Sequence, residues 1–328
     1  VAVCPFCNGQ FRNKMKGLTP MKHLKKLLCL AVALALVCCC AFAEAPTTDR
    51  EGNEIALPAE VSKLISLAPA CTQVVMDLGL TDKLIAVDTY SAAYWPELAE
   101  LPQFDMFAPD AEQLAALEPD LILLSSMSAF SGGDALEALR KAGVCLAAIP
   151  SSESLAAAQD DVRFIAACLG AQDKGEELVA EMQAVIDQVA EIAAAITEKK
   201  TVFFEISALP YLYSGGANTY LDELITTCGA INVLGDQQGW VSVEAESAVA
   251  LNPDVILTNV NYIDDPVAEI LSREGWENVT AVKNKAVYSI DNLASSLPNN
   301  HLTDALVAVA LAVYPDEFAS LVEVEPAA

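Results

Sequence analysis

The sequence predicts an α/β fold made of two units with parallel sheets, joined by one long helix. Three observations carry this expectation: short apolar runs that alternate with helical patterns, an uninterrupted amphipathic stretch midway along the chain, and an internal repeat. With 328 residues, 54% of them apolar and 19% charged, the chain can bury one large core or two medium ones, and its charges are too few and too interspersed for a disordered protein.

The first series of apolar runs lies at residues 64–67, 84–87, 121–124 and 145–149, separated by Ala/Leu/Glu-rich segments. Strands covered by helices on both faces read in this way, as nearly continuous apolar runs. A second series occupies residues 201–204, 255–257 and 286–290, so the count implies two α/β units. Between the series, Leu178, Met182, Val185, Ile186, Val189, Ile192 and Ile196 recur at steps of three and four, and neither Gly nor Pro interrupts after Gly175. A helix of about 25 residues at 1.5 Å each spans roughly 35 to 40 Å, enough for a stiff rod that holds two units apart. The boundaries expected from these patterns are residues 1–43 for an upstream segment and leader, 44–170 for the N-terminal lobe, 171–200 for the linking helix and 201–328 for the C-terminal lobe.

The repeat is the most informative feature. Glu112, Leu117, Pro119, Asp120 and the run that follows reappear at the same offsets as Glu246, Leu251, Pro253, Asp254 and a second run. Each copy reads as a short helix stopped by a Pro-Asp turn that feeds a buried strand. The glutamate falls in the first helical turn, where the macrodipole favours a negative charge. Taken singly, either glutamate fits that bland role; its recurrence in both units argues for more.

At the N-terminus, residues 1–20 show no periodicity and read as upstream translation. From Met21, the basic His23, Lys25 and Lys26 precede an apolar run at residues 27–40, long enough for a secretion signal and too short for a bilayer span. Ala41-Phe42-Ala43 suits cleavage before Glu44, while Cys38, Cys39 and Cys40 offer a rival lipid-attachment site. Either route exports the protein. Without residues 1–43 the chain keeps 12 basic against 45 acidic residues, a net charge of −33 that disfavours nucleic acid and anionic membrane surfaces. Of the ten cysteines, Cys71, Cys145, Cys168 and Cys228 are spread singly along the exported part and read as small buried hydrophobes; Cys4 and Cys7 are half of a motif that lacks its second half.

Several segments together resemble the iron-chelate and vitamin B12 solute-binding proteins of ABC importers: Ser66 to Thr72 leading to Leu78-Gly79-Leu80, the two Glu/Pro-Asp repeats, Ser214 to Glu223 leading to Cys228-Gly229, and Gly275-Trp276 followed by Ala281-Val282-Lys283. The resemblance runs from about Glu44 to the end of the chain. It implies two Rossmann-like lobes with parallel sheets and one backbone helix, no intrinsic cofactor, and a ligand held in the cleft between the lobes. It further implies that Glu112 and Glu246 dock onto arginines of a dimeric ABC permease, and that the only link to the membrane is this permease or the lipid anchor. Ligand-binding candidates are Pro69, Thr72, Tyr90, Tyr94, Trp95 and Phe104 in the first lobe and Tyr211, Tyr213 and Trp240 in the second. Aromatic faces suit a large, half-apolar chelate because they bury area at little cost in rotamer entropy.

His301 is the one histidine beyond the leader, so a cluster of imidazoles for a bare metal ion is ruled out and the ligand would bring its own cage. Gln73 and the segment at residues 296–301 stand where relatives often carry Glu and arginines. With basic residues so sparse, a cobalt corrinoid or a ferric hydroxamate is expected before a catecholate or haem, whose acidic groups need counter-charges. Haem binding within the same transporter class, and a secreted α/β hydrolase, are the alternatives. The hydrolase lacks a Gly-x-Ser-x-Gly elbow and would have to use His301 as its base.

Overall fold

A computed structural model of the chain describes residues 45–131 and 133–323. The leader, the Cys4/Cys7 pair and the Cys38 to Cys40 cluster lie outside the described residues.

The first sheet contains β1 (Leu64–Leu67), β2 (Leu84–Asp88), β3 (Gln103–Phe104), β4 (Leu121–Ser125) and β5 (Leu146–Ile149), in the order β3-β2-β1-β4-β5. Every neighbouring pair is parallel. The second has β6 (Thr201–Glu205), β8 (Ile231–Asn232), β10 (Val255–Thr258) and β11 (Val287–Ser289), again all parallel, in the order β11-β10-β6-β8. A separate antiparallel ribbon pairs β7 (Leu212–Gly215) with β9 (Trp240–Val243). In both parallel sheets the first strand is central and the chain fills one side before the other, which leaves a topological switch point beside β1 and beside β6.

The internal repeat is a structural repeat. Its helices are α3 (Ala111–Ala116) and α9 (Ala245–Leu251), preceded in the numbering used here by α1 (Pro69–Asp77) and α2 (Thr89–Tyr94) in the first lobe. After α3, Glu118 takes a left-handed φ of 50° before Pro119; after α9, Asn252 takes one of 45° before Pro253. The following aspartates tie each returning chain to the neighbouring central strand. Asp120 Oδ2 accepts from the N–H groups of Ser62 and Lys63, both at 2.8 Å, and Asp254 Oδ2 accepts from the N–H and hydroxyl of Thr201 at 2.8 and 2.7 Å. These backbone donors hold the Asp120 carboxyl below its ordinary pKa.

Strand periodicity sorts the core. Leu121 and Leu123 of β4, Val202 and Phe204 of β6, and Val255 and Leu257 of β10 face one large buried cluster, whereas Ile122 and Leu124 face a second cluster confined to the first lobe and Phe203 and Ile256 a third confined to the second. The large cluster crosses from lobe to lobe through α6 (Leu155–Cys168), α7 (Gln172–Ala193), α8 (Tyr220–Thr227) and α13 (Leu302–Val313). α4 (Ser126–Ser131) and α5 (Gly133–Lys141) precede α6 in the chain, and α10 (Pro266–Leu271), α11 (Thr280–Asn284) and α12 (Asn292–Ser296) precede α13. The 22 residues of α7 span about 33 Å. This corrects the picture of a rod that holds two units apart: Leu178, Val179, Met182 and Val189 of α7 are buried, and the helix is laid into a core that both lobes share.

Candidate functional site

A cavity of about 260 Å³ opens at the carboxyl ends of the first sheet. Its wall takes Pro69 from the chain leaving β1, Tyr90 from that leaving β2, Ser125 from the end of β4 and Pro150 from just past β5. Open parallel sheets place ligands in this crevice. Pro69 occupies the first turn of α1, where its missing N–H costs nothing, so the chain turns sharply after the strand. Asp88 caps α2, accepting from the N–H groups of Tyr90 and Ser91 at 2.9 Å each, and thereby sets Tyr90 at the rim. Phe107 meets Tyr90 edge-to-face, with centroids 6.3 Å apart. The second lobe contributes Ser296, Leu297 and Pro298.

Beneath this wall the hydroxyls of Ser66, Thr72 and Ser91 form a chain at 2.8 and 2.9 Å that ends on the Asp88 carboxylate. All four residues are fully buried. Burial raises the Asp88 carboxyl above its ordinary value, against the hydrogen bonds from Ser91 and Tyr90. Among the described residues, Asp161 of α6 is the one carboxylate in the cavity wall. It too is raised by burial, with Ser152 and Arg50 opposing; Arg50 Nε donates to it at 2.7 Å, and Ser152 Oγ donates to its other oxygen. Among the described residues, no Lys, Arg or His lines the cavity.

The sequence candidates divide by placement. Pro69 and Tyr90 line the cavity. Tyr94 is half-buried 6.4 Å from Tyr90, and Trp95 packs edge-to-face on Tyr94 at 5.8 Å and against the large core. Two candidates lie beneath the wall. Thr72 is wholly buried with its hydroxyl committed to the chain described above, and Phe104 belongs to the apolar cluster under the sheet. In the second lobe, Tyr211 is 80% exposed immediately before β7, and Tyr213 and Trp240 are exposed on the ribbon, with Trp240 edge-to-face on Tyr220 at 5.4 Å. These three stand apart from the cavity wall.

Sequence reasoning missed Met106, Phe107, Met127, Ile165, Asp161 and its partner Arg50. Phe107 follows a two-residue strand too short to show periodicity, and Asp161 sits within a helical stretch where a carboxylate reads as solvent-facing. Tyr262, 65% exposed past the end of β10, was missed as well; its hydroxyl accepts from the Ala208 N–H at 2.8 Å.

Glu112 and Glu246 are both exposed in the first turns of α3 and α9. Asp110 caps α3 by accepting from the N–H groups of Glu112 and Gln113 at 3.0 Å each. His301 has both ring nitrogens engaged by carboxylates, Nδ1 by Asp304 at 2.6 Å and Nε2 by Asp77 at 2.9 Å. Those two bonds push it up to about 10, so it is an imidazolium near neutral pH.

Among the described residues, no helix is long and apolar enough to cross a membrane. Residues 64–294 match the family model of the periplasmic binding proteins. The chain is 30% identical over 272 residues to an uncharacterized ABC transporter substrate-binding lipoprotein of Bacillus subtilis, covering 82% of this chain and 85% of the relative. It is 25% identical over 254 residues to a vitamin B12-binding protein of Vibrio parahaemolyticus, covering 76% of this chain and 88% of that one. Among solved structures it resembles a possible iron-binding, periplasmic solute-binding protein of Staphylococcus epidermidis, with a TM-score of 0.69 and 26% identity over 78% of this chain and 99% of the other. Parallel sheets in two lobes, a cavity at the strand ends and these relatives lead to one assignment: the chain belongs to the periplasmic binding protein family, as a substrate-binding protein of an ABC importer.

Proposed function

We propose that the protein captures a metal chelate of low net charge, a cobalt corrinoid or a ferric hydroxamate complex, and delivers it to its permease. The observation that carries this reading is the cavity wall, which is mostly apolar, contains Tyr90 and Phe107, and among the described residues has no Lys, Arg or His. An anionic catecholate or the propionates of haem would find no counter-charge there. The vitamin B12-binding relative supports a corrinoid. At about 260 Å³ the cavity suits an edge or substituent of such a chelate, with the rest lying across the mouth toward Tyr211, Tyr213 and Trp240.

The protein acts in this reading as a binder and not as a hydrolase, because the imidazolium of His301 has no free nitrogen to take a proton. Glu112 and Glu246 meet arginines of the permease, one from each lobe. After export the chain is released by cleavage after Ala43 or held by lipid at one of Cys38, Cys39 and Cys40. The test is a thermal-shift screen with cyanocobalamin, haemin, ferric desferrioxamine and a ferric catecholate. A ligand at about a hundred times its Kd adds roughly 2.7 kcal/mol, which moves the melting temperature by several degrees. Stabilisation by cyanocobalamin or ferric desferrioxamine is expected, whereas a response to haemin or the catecholate alone would refute the charge argument.

A further inference from the structure

Leu297 and Pro298 reach the cavity from the second lobe, and the residues that follow them are bonded to a helix of the first. Asn299 Nδ2 donates to Gln73 Oε1 at 2.8 Å, Asn300 Nδ2 donates to Asp77 Oδ2 at 2.8 Å, and His301 Nε2 lies 2.9 Å from the same Asp77 oxygen. Gln73 and Asp77 are one turn apart on α1, whose first turn also supplies Pro69 to the cavity wall. The segment is braced within itself, since the His301 N–H donates to Asn299 Oδ1 at 2.9 Å.

We propose that Asp77 and His301 are positioning residues, a latch across the lobe boundary that pins residues 299–301 onto α1 and so holds Leu297 and Pro298 as the second lobe's part of the cavity wall. The proposal builds on the reading of this cavity as the ligand site. The charged groups that face the imidazole are Asp77 from α1 and Asp304 from α13. With a carboxylate on each nitrogen, the ring is held as a double donor. An Asp77 carboxylate serving both Asn300 and His301 makes one side chain the anchor for two consecutive residues of the second lobe. This gives a role to Gln73 and to residues 299–301, which do not themselves line the cavity.

The test uses the unliganded protein, so its outcome is separate from whether any chelate binds. NMR follows the imidazole of His301, assigned by its loss in His301→Gln, from pH 6 to 11, and amide exchange reports protection of residues 296–301 at neutral pH. In the wild type the signal should stay in its protonated form up to about pH 9. Asp77→Asn should lower its titration midpoint by at least about one unit, a tenfold change in the proton affinity. Protection of residues 296–301 should fall by about fivefold in Asp77→Asn and His301→Ala, and the double variant should lose no more than either single one. Circular dichroism confirms that each variant is folded. Titration of wild-type His301 near its ordinary value, or additive losses in the double variant, would overturn the latch.

Discussion

Glu223 of the second lobe accepts a hydrogen bond at 2.7 Å from the backbone N–H of Leu155, in the first turn of α6 in the first lobe. A carboxylate here satisfies a donor that the helix itself leaves open and also meets the positive end of its dipole. α6 contributes Asp161 and Ile165 to the cavity, so this bond ties a cavity-bearing helix to the opposite lobe. Glu223→Ala should destabilise the protein by about 1–2 kcal/mol in urea unfolding, and Glu223→Gln by less, because the amide oxygen still accepts.

A stronger effect is expected at Arg273. Its guanidinium donates to both oxygens of Glu205, at 2.7 and 2.9 Å, with the Arg273 side chain 3% and the Glu205 side chain 0% exposed, and it also pairs with Glu269. Arg273→Ala leaves the Glu205 carboxylate buried without its partner at the end of the central strand of the second sheet. The expected loss is about 3–5 kcal/mol of unfolding free energy. A variant that also carries Glu205→Gln should recover part of it.

Stability should also depend on His301. Its pKa is raised to about 10 in the folded protein, above the ordinary histidine value, so folding favours the protonated ring. The contribution is fully present below about pH 6.5 and is lost as pH rises from there through about 10. Unfolding free energy measured against pH should therefore decline more steeply in the wild type over this window than in His301→Gln. Parallel curves for the two proteins would contradict the sign of the linkage.

Much of the architecture was legible because it is encoded locally. The apolar runs around Leu121 to Leu124 and Val255 to Leu257 mark strands buried on both faces, and the Pro-Asp repeat marks equivalent turns; the left-handed residue before each proline came only with the structure. The candidate site was less legible because residue type does not disclose which way a side chain points. Thr72 looks like a polar contact for a ligand, yet it lies one layer down in a buried hydroxyl chain; Asp161 looks like a surface helix residue, yet it faces the cavity. The shared core was hidden for the same reason. The amphipathic pattern of α7 identifies its buried face without identifying what covers it.

The docking proposal predicts a separation of functions. Glu112 and Glu246 are exposed and take no part in the cavity wall. Combined Glu112→Arg and Glu246→Arg substitution should leave chelate affinity unchanged and abolish uptake in a transport assay, because each lobe would present a like charge to the permease arginines. Normal uptake by the double variant would remove these residues from the docking role.

In the proposed complex a chelate of low charge sits at the strand ends of the first lobe against Tyr90. Calorimetric titration of cyanocobalamin and ferric desferrioxamine into the wild type and Tyr90→Ala tests this placement most directly. One chelate should bind per chain for at least one of the two, with affinity about tenfold weaker in Tyr90→Ala. Absence of binding to both, or equal affinity in the two proteins, would contradict it.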